Sequence, residues 1–160
     1  MRLLEMAKPV IVWDSCIFIG WFGGEYAPGS SYSINDHVLE IEASKIILVT
    51  SAIVHAEVLD GDLPNQTHDT FSQFLKRTNV EQVDVSETII KEVRRIRTEC
   101  TKLNPVLPIP KAIDALYLAT AILAKAKILY TKEQKLRNLD RHDVAHGLRI
   151  ELAPKSSELC

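Results

Sequence analysis

Apolar positions in this chain fall alternately into short continuous runs and helical stripes. Val10-Ile11-Val12-Trp13 follows Pro9 as one such run. A β-branched stretch so short and unbroken suits a strand buried on both faces. It stops at Asp14-Ser15. Residues 16–22 read as a short apolar helix, and Gly23, Gly24, Pro28 and Gly29 mark a loop. Residues 33–44 read as a helix with Ile34, Val38 and Ile41 on one face. Residues 45–50 form a second buried strand. Ser51 is a plausible N-cap for a helix over 52–59, ended by Gly61 and Pro64. Residues 67–77 predict an amphipathic helix with Phe71, Phe74 and Leu75 inward, and residues 80–85 a third strand.

Ser86-Glu87 opens a long helix. Ile89, Val93, Ile96, Cys100 and Leu103 recur at intervals of four, three, four and three. Pro105, Pro108 and Pro110 prevent its continuation. Residues 111–126 predict a helix rich in Ala, Leu and Ile. Residues 127–130 and 149–152 read as a fourth and a fifth strand. Strands alternating with helices imply an α/β fold: a three-layer α/β/α arrangement around a central, mostly parallel sheet of four to five strands. No repeat or linker divides the chain, so residues 1–160 read as a single domain.

Composition narrows the function classes. The chain is 46% hydrophobic and 25% charged, ordinary values for a globular protein. No apolar run approaches the roughly 18 residues of a membrane span. Glu5, Lys8 and Pro9 interrupt any leader-like core, so a cytoplasmic protein is expected, with no membrane partner. Cys16, Cys100 and Cys160 form no Cys-x-x-Cys pair and read as free thiols. The five histidines show no metal-ligand spacing, and no phosphate-cradling Gly loop is present. Net charge is −2, but residues 1–80 hold 5 basic and 10 acidic residues and residues 81–160 hold 14 and 11. A basic surface beside an acidic one is compatible with a polyanionic partner.

In open parallel sheets, sites form beyond the carboxyl ends of the strands. Asp14 follows the first strand. Glu57 lies on the helix after the second. Asp114 lies near the start of the Ala-rich helix, and Thr131 and Glu133 follow the fourth strand. Each acid also has a plain structural role open to it: Asp14 as a helix N-cap, Glu57 in a surface ion pair, Asp114 as a complement to the helix dipole, Glu133 as a surface residue. Were they to converge, their mutual repulsion would call for a counter-ion. Hard oxygen donors without His or Cys favour Mg2+ or Mn2+. Such an ion eases deprotonation of water and offsets charge on a phosphoryl transition state. Trp13, Trp21 and Tyr117 read as core residues, Cys16 as a buried thiol, and His55 as a helix-surface histidine.

Four stretches together resemble the PIN-domain family. Residues 10–19, VIVWDSCIFI, are similar to its opening motif. Residues 51–59, SAIVHAEVL, resemble its second motif, residues 110–121, PKAIDALYLATA, its third, and residues 128–136, ILYTKEQKL, its fourth. The size is similar to the toxin half of bacterial and archaeal toxin–antitoxin pairs, small single-domain PIN ribonucleases. This resemblance implies that Asp14, Glu57 and Asp114 hold Mg2+ or Mn2+, with Ser15 and Thr131 in support. The family has Asp where this chain has Glu133, whose longer side chain suits contact through a water; Asp140 is the other candidate fourth acid. It further implies an endoribonuclease leaving 5′-phosphate and 3′-hydroxyl ends, a homodimer, and a protein antitoxin as partner. Arg94, Arg95, Arg97, Lys132, Lys135, Arg137 and Arg141 are candidates for RNA-phosphate contacts. Two other classes stay open: a non-catalytic module on the same fold, and an aspartate-dependent phosphotransfer domain. The latter lacks the second Asp that its phosphatase form wants at the position of Cys16.

Overall fold

The structure, a computed structural model, describes residues 7–24, 34–63 and 67–152. Five strands form one sheet: β1 (Val10–Trp13), β2 (Ile47–Ser51), β3 (Val80–Val83), β4 (Ile128–Tyr130) and β5 (Arg149–Glu151). The order is β3-β2-β1-β4-β5, and every neighbouring pair is parallel. The sheet is thus wholly parallel where a mostly parallel one was expected. Its helices are α1 (Ser15–Phe22), α2 (Ile34–Glu42), α3 (Val54–Glu57), α4 (Thr67–Leu75), α5 (Glu87–Lys102), α6 (Ala112–Leu123) and α7 (Gln134–Arg137).

The unbroken apolar strands are explained by the layers. Side chains alternate across a strand, so Ile11 and Trp13 of β1 face one way and Val12 the other. Ile11, Trp13, Leu48, Ile128 and Tyr130 pack with Phe18, Ile34, Ile41, Phe71 and Phe74 from α1, α2 and α4. Val12, Val49, Leu129 and Ile150 pack with Ile89, Val93, Ile96 and Cys100 of α5 and Ala115, Leu118 and Ala119 of α6. Both faces are covered, which is the three-layer α/β/α arrangement.

Most element ends lie within a few residues of the expected ones. Ser86 caps α5, its Oγ accepting the Ile89 N–H at 3.3 Å. The stripe of α5 runs buried from Ile89 to Cys100, whereas Leu103 falls past the helix end and is 39% exposed. Val85 stands outside β3 and is exposed. One element departs further. The helix expected over 52–59 is only the four residues of α3, and Ser51 is the last residue of β2 rather than an N-cap. The Ala52 N–H donates to the Val83 carbonyl at 2.9 Å and prolongs the ladder. Ser51 Oγ accepts from Ile53 N at 3.3 Å in a tight turn, and the chain turns extended at Val58. Ile53, Val54 and Val58 are β-branched and support a helix poorly. A 3-10 turn at Asp60–Asp62 follows. The expected loop at Pro28 and Gly29, the stop at Pro64, and Cys160 lie outside the described residues. Among the described residues no helix is long and apolar enough to cross a membrane.

The topology creates one switch point. The chain moves from β1 outward through β2 to β3, then returns over the sheet to place β4 on the other side of β1. Connections therefore diverge at the carboxyl ends of β1 and β4, where such folds leave a crevice. The return helix α6 ends at Leu123, shortly before β4 begins at Ile128. It runs antiparallel to the strands, so its first turn, with Asp114, lies at that same carboxyl edge.

Candidate functional site

Asp14 is the residue at which β1 becomes α1. Its backbone is extended (φ −84°, ψ 176°), and its side chain caps the helix. Oδ1 accepts from Cys16 N at 3.0 Å and Ile17 N at 3.4 Å. The Cys16 thiol also donates to Oδ1, at 2.6 Å, while Cys16 Sγ accepts the Lys132 N–H at 3.1 Å. The capping role read from sequence is therefore real, and the carboxylate lies at the edge as well. Thr131, fully buried past β4, bonds the Asp14 carboxyl through its side chain, and its Oγ1 accepts the Glu133 N–H at 2.9 Å. Asp14 is 6% exposed. Burial lifts its pKa from 3.8 to about 6, against the opposing pull of the bonds from Cys16, Thr131 and Ile17.

Asp114 sits in the first turn of α6, and its Oδ2 is buried with no hydrogen-bond partner. Its pKa is raised by burial first, then by the charges of Glu133 and Glu57; Lys111 and Lys135 pull it down. Glu57 ends α3, and the Tyr117 hydroxyl donates to its Oε2 at 2.5 Å. Tyr117 is raised by burial and by Glu57, and is bonded by the Ser15 side chain. The fold thus gathers Asp14, Glu57, Asp114, Glu133, Ser15 and Thr131 at one edge. Asp140 plays another part: its Oδ1 accepts the Ile150 N–H at 2.7 Å and anchors β5.

The candidate phosphate-contacting residues separate. Lys132 follows β4 beside Cys16, and Lys135 acts on Asp114. Arg95 instead grips Glu92 Oε1 at 2.6 Å and donates to the Val144 carbonyl at 2.8 Å. Arg97 Nε donates to the Pro110 carbonyl at 3.0 Å, and Arg94 lines a cleft between α5 and α6. Arg137 donates to Gln134 Oε1 at 2.8 Å. Arg141 sits in a left-handed turn whose N–H donates to the Leu148 carbonyl at 2.8 Å. Arg95 and Arg97 thus hold the fold's own backbone. His55 is exposed and bonded to Gln82.

Two residues escaped the sequence reading. Lys111 is three before Asp114, and Tyr117 three after it. Helical neighbours at that spacing share a face, which is the signal available; Tyr117 is the core residue expected, and its hydroxyl reaches Glu57 as well.

Among the described residues no group of three or more His, Cys, Asp or Glu is placed so that it could hold a metal ion. What the edge offers is an all-oxygen set with an unpartnered buried carboxylate oxygen on Asp114. Mg2+ and Mn2+ take oxygen ligands, and Mg2+ keeps several waters and often uses only one or two carboxylates. The donor chemistry fits such a water-rich cation: Asp114 and Glu57, which feel each other's charge, and Asp14 at the same edge are the residues that would hold it.

The family model for the PIN domain matches residues 11–142. A comparison with curated proteins gave no match. Among solved structures, VapBC2 from Rickettsia felis bound to a promoter DNA fragment is similar at TM-score 0.61 and 21% identity, over 89% of this chain and 97% of that one. FitAcB from Neisseria gonorrhoeae is similar at TM-score 0.54 and 16% identity, over 88% and 96%. A toxin–antitoxin complex from Klebsiella pneumoniae is similar at TM-score 0.51 and 22% identity, over 78% and 88%. At such identities the likeness is one of fold.

Proposed function

Because this chain belongs to the PIN domain family, we propose that it is a Mg2+- or Mn2+-dependent endoribonuclease and the toxin half of a toxin–antitoxin pair. The observation that carries the reading is Asp114: a half-buried carboxyl whose buried Oδ2 has no partner, bearing the charges of two further acids from separate elements. Uncompensated negative charge in a partly dry site is costly, and a site that assembles it is built for a cation.

Asp14, Asp114 and Glu57 hold the cation. When bound, it makes water a better nucleophile and neutralises charge building on the phosphoryl oxygens. Thr131 and the α1 backbone fix the Asp14 carboxylate. Glu133 acts at longer range, through a water. Lys135, Lys132 and Lys111 offset the acids at the rim and meet the phosphate backbone, which sets affinity without reading sequence. The resemblance to small PIN ribonucleases supports RNA as the substrate, and unpaired strands enter such an edge more readily than an A-form duplex. The Klebsiella pneumoniae toxin–antitoxin complex of the same fold supports a protein antitoxin as partner.

The test is cleavage of total RNA with Mn2+, with the ends mapped. The wild type should leave 5′-phosphate and 3′-hydroxyl ends, and Asp114→Asn should lose activity by about 10²-fold or more while keeping its circular dichroism spectrum. Full activity in a folded Asp114→Asn protein would overturn the assignment. Neither cleavage nor Mn2+ binding by the wild type would favour the non-catalytic module.

A further inference from the structure

Glu57 is poorly held by its own segment. It is the last residue of a four-residue helix whose N-cap makes no side-chain bond, and Val58 is already extended. A glutamate side chain has many rotamers, and an ion ligand needs few. The anchor comes from elsewhere. Tyr117, 60 residues later and 1% exposed, donates its hydroxyl to Glu57 Oε2 at 2.5 Å. The Tyr117 oxygen in turn receives the Ser15 side chain, from the first turn of α1 next to Asp14. Tyr117 has a single hydroxyl proton, so this chain of bonds has one sense: Ser15 donates to Tyr117, which donates to Glu57.

The placement of Tyr117 is economical. It stands three residues after Asp114 on α6, so both lie on the same helix face. One rigid helix therefore supplies an acid directly and fixes the angle of a second acid borne by a different element. Cys16 and Thr131 hold Asp14, and Glu57 has Tyr117 in the corresponding place.

We propose that Tyr117 is a positioning residue of the acidic site: its hydroxyl, oriented by Ser15, holds Glu57 so that the carboxylate bears on the cation held at Asp114. This rests on the function proposed above. Partners that orient ligating carboxylates typically contribute about 10- to 100-fold in metal affinity or activity.

Tyr117→Phe removes one oxygen and keeps the ring in the core. Mn2+ titrated calorimetrically into the variant should bind about 10-fold more weakly. RNA KM should be unchanged, kcat should recover as Mn2+ is raised, and the melting temperature without metal should stay close to that of the wild type. In a Glu57→Gln background the same change should weaken Mn2+ no further, since coupled positions are not additive. Ser15→Ala, at a half-buried position, should weaken Mn2+ by a smaller factor and serves if Tyr117→Phe does not fold. Unchanged Mn2+ affinity in the folded variants, or full additivity with Glu57→Gln, overturns the proposal while leaving an active wild type as a nuclease. A wild type that neither binds Mn2+ nor cuts RNA overturns both.

Discussion

The Asp14 N–H donates to the Tyr130 carbonyl at 3.2 Å, so the exits of β1 and β4 are tied at the backbone. That bond brings Thr131 against Asp14 and buries the carboxyl. Because the folded pKa, about 6, lies above the ordinary 3.8, the native state holds this proton longer than the unfolded chain does. Its contribution to stability is complete below 3.8 and is lost as pH rises through 6. The rise corresponds to about 3 kcal/mol. Asp14→Asn keeps the capping oxygen and removes the charge. In EDTA it should unfold at higher urea than the wild type at pH 7.5, with the difference vanishing near pH 4. A less stable variant at pH 7.5 would contradict this.

His37 has the opposite sign. It is 3% exposed, both ring nitrogens are buried without partners, and its ring packs on Trp13 and Tyr130. Burial lowers its pKa from 6.5 to about 4. The unfolded chain takes this proton first, so stability is held above pH 6.5 and lost as pH falls toward 4, by about 3 kcal/mol. His37→Phe removes this loss and leaves the Asp14 gain, so in chemical denaturation its stability relative to the wild type should rise as pH falls from 6.5 to 4; a constant difference would exclude His37.

A cation that binds only the folded acidic edge must raise its stability. At 100 times its Kd the gain is about 2.7 kcal/mol. Differential scanning fluorimetry with Mn2+ should show a rising melting temperature for the wild type and almost none for Asp114→Asn. Equal shifts in both would place the ion elsewhere.

Lys135 and Arg95 should behave differently. Lys135→Ala removes a charge acting on the edge and should weaken RNA binding, lowering the slope of log affinity against log salt by about 0.7 for a single strand. Arg95→Ala breaks bonds to Glu92 and Val144. It should lower stability by about 1–3 kcal/mol with the salt slope retained. Filter binding across a salt series and urea denaturation separate the two.

Local pattern carried most of the fold and the candidate acids. The apolar runs at Val10–Trp13 and Ile128–Tyr130, the stripe of α5 and the cap at Ser86 are set within a few residues of chain, and such signals survive in sequence. Asp14, Glu57, Asp114 and Glu133 stood out because they break or follow apolar segments. The shortened α3 was misread because a continuing strand ladder, formed with distant β3, outbid a local capping preference at Ser51. The bonds of Arg95 and Arg97 are not legible in sequence because their acceptors, the carbonyls of Val144 and Pro110, lie on other elements.

By itself, then, the order of residues determined which segments are strands and helices and which acids follow them, since the two-residue and 3.6-residue periods are local properties of the backbone. Only the tertiary structure decided that β4 lies beside β1, that the Tyr117 hydroxyl meets Glu57, and that Cys16 reaches Lys132 across 116 positions. Those contacts depend on the order in which distant strands pair and on the helix that crosses between them, and no local period encodes that order.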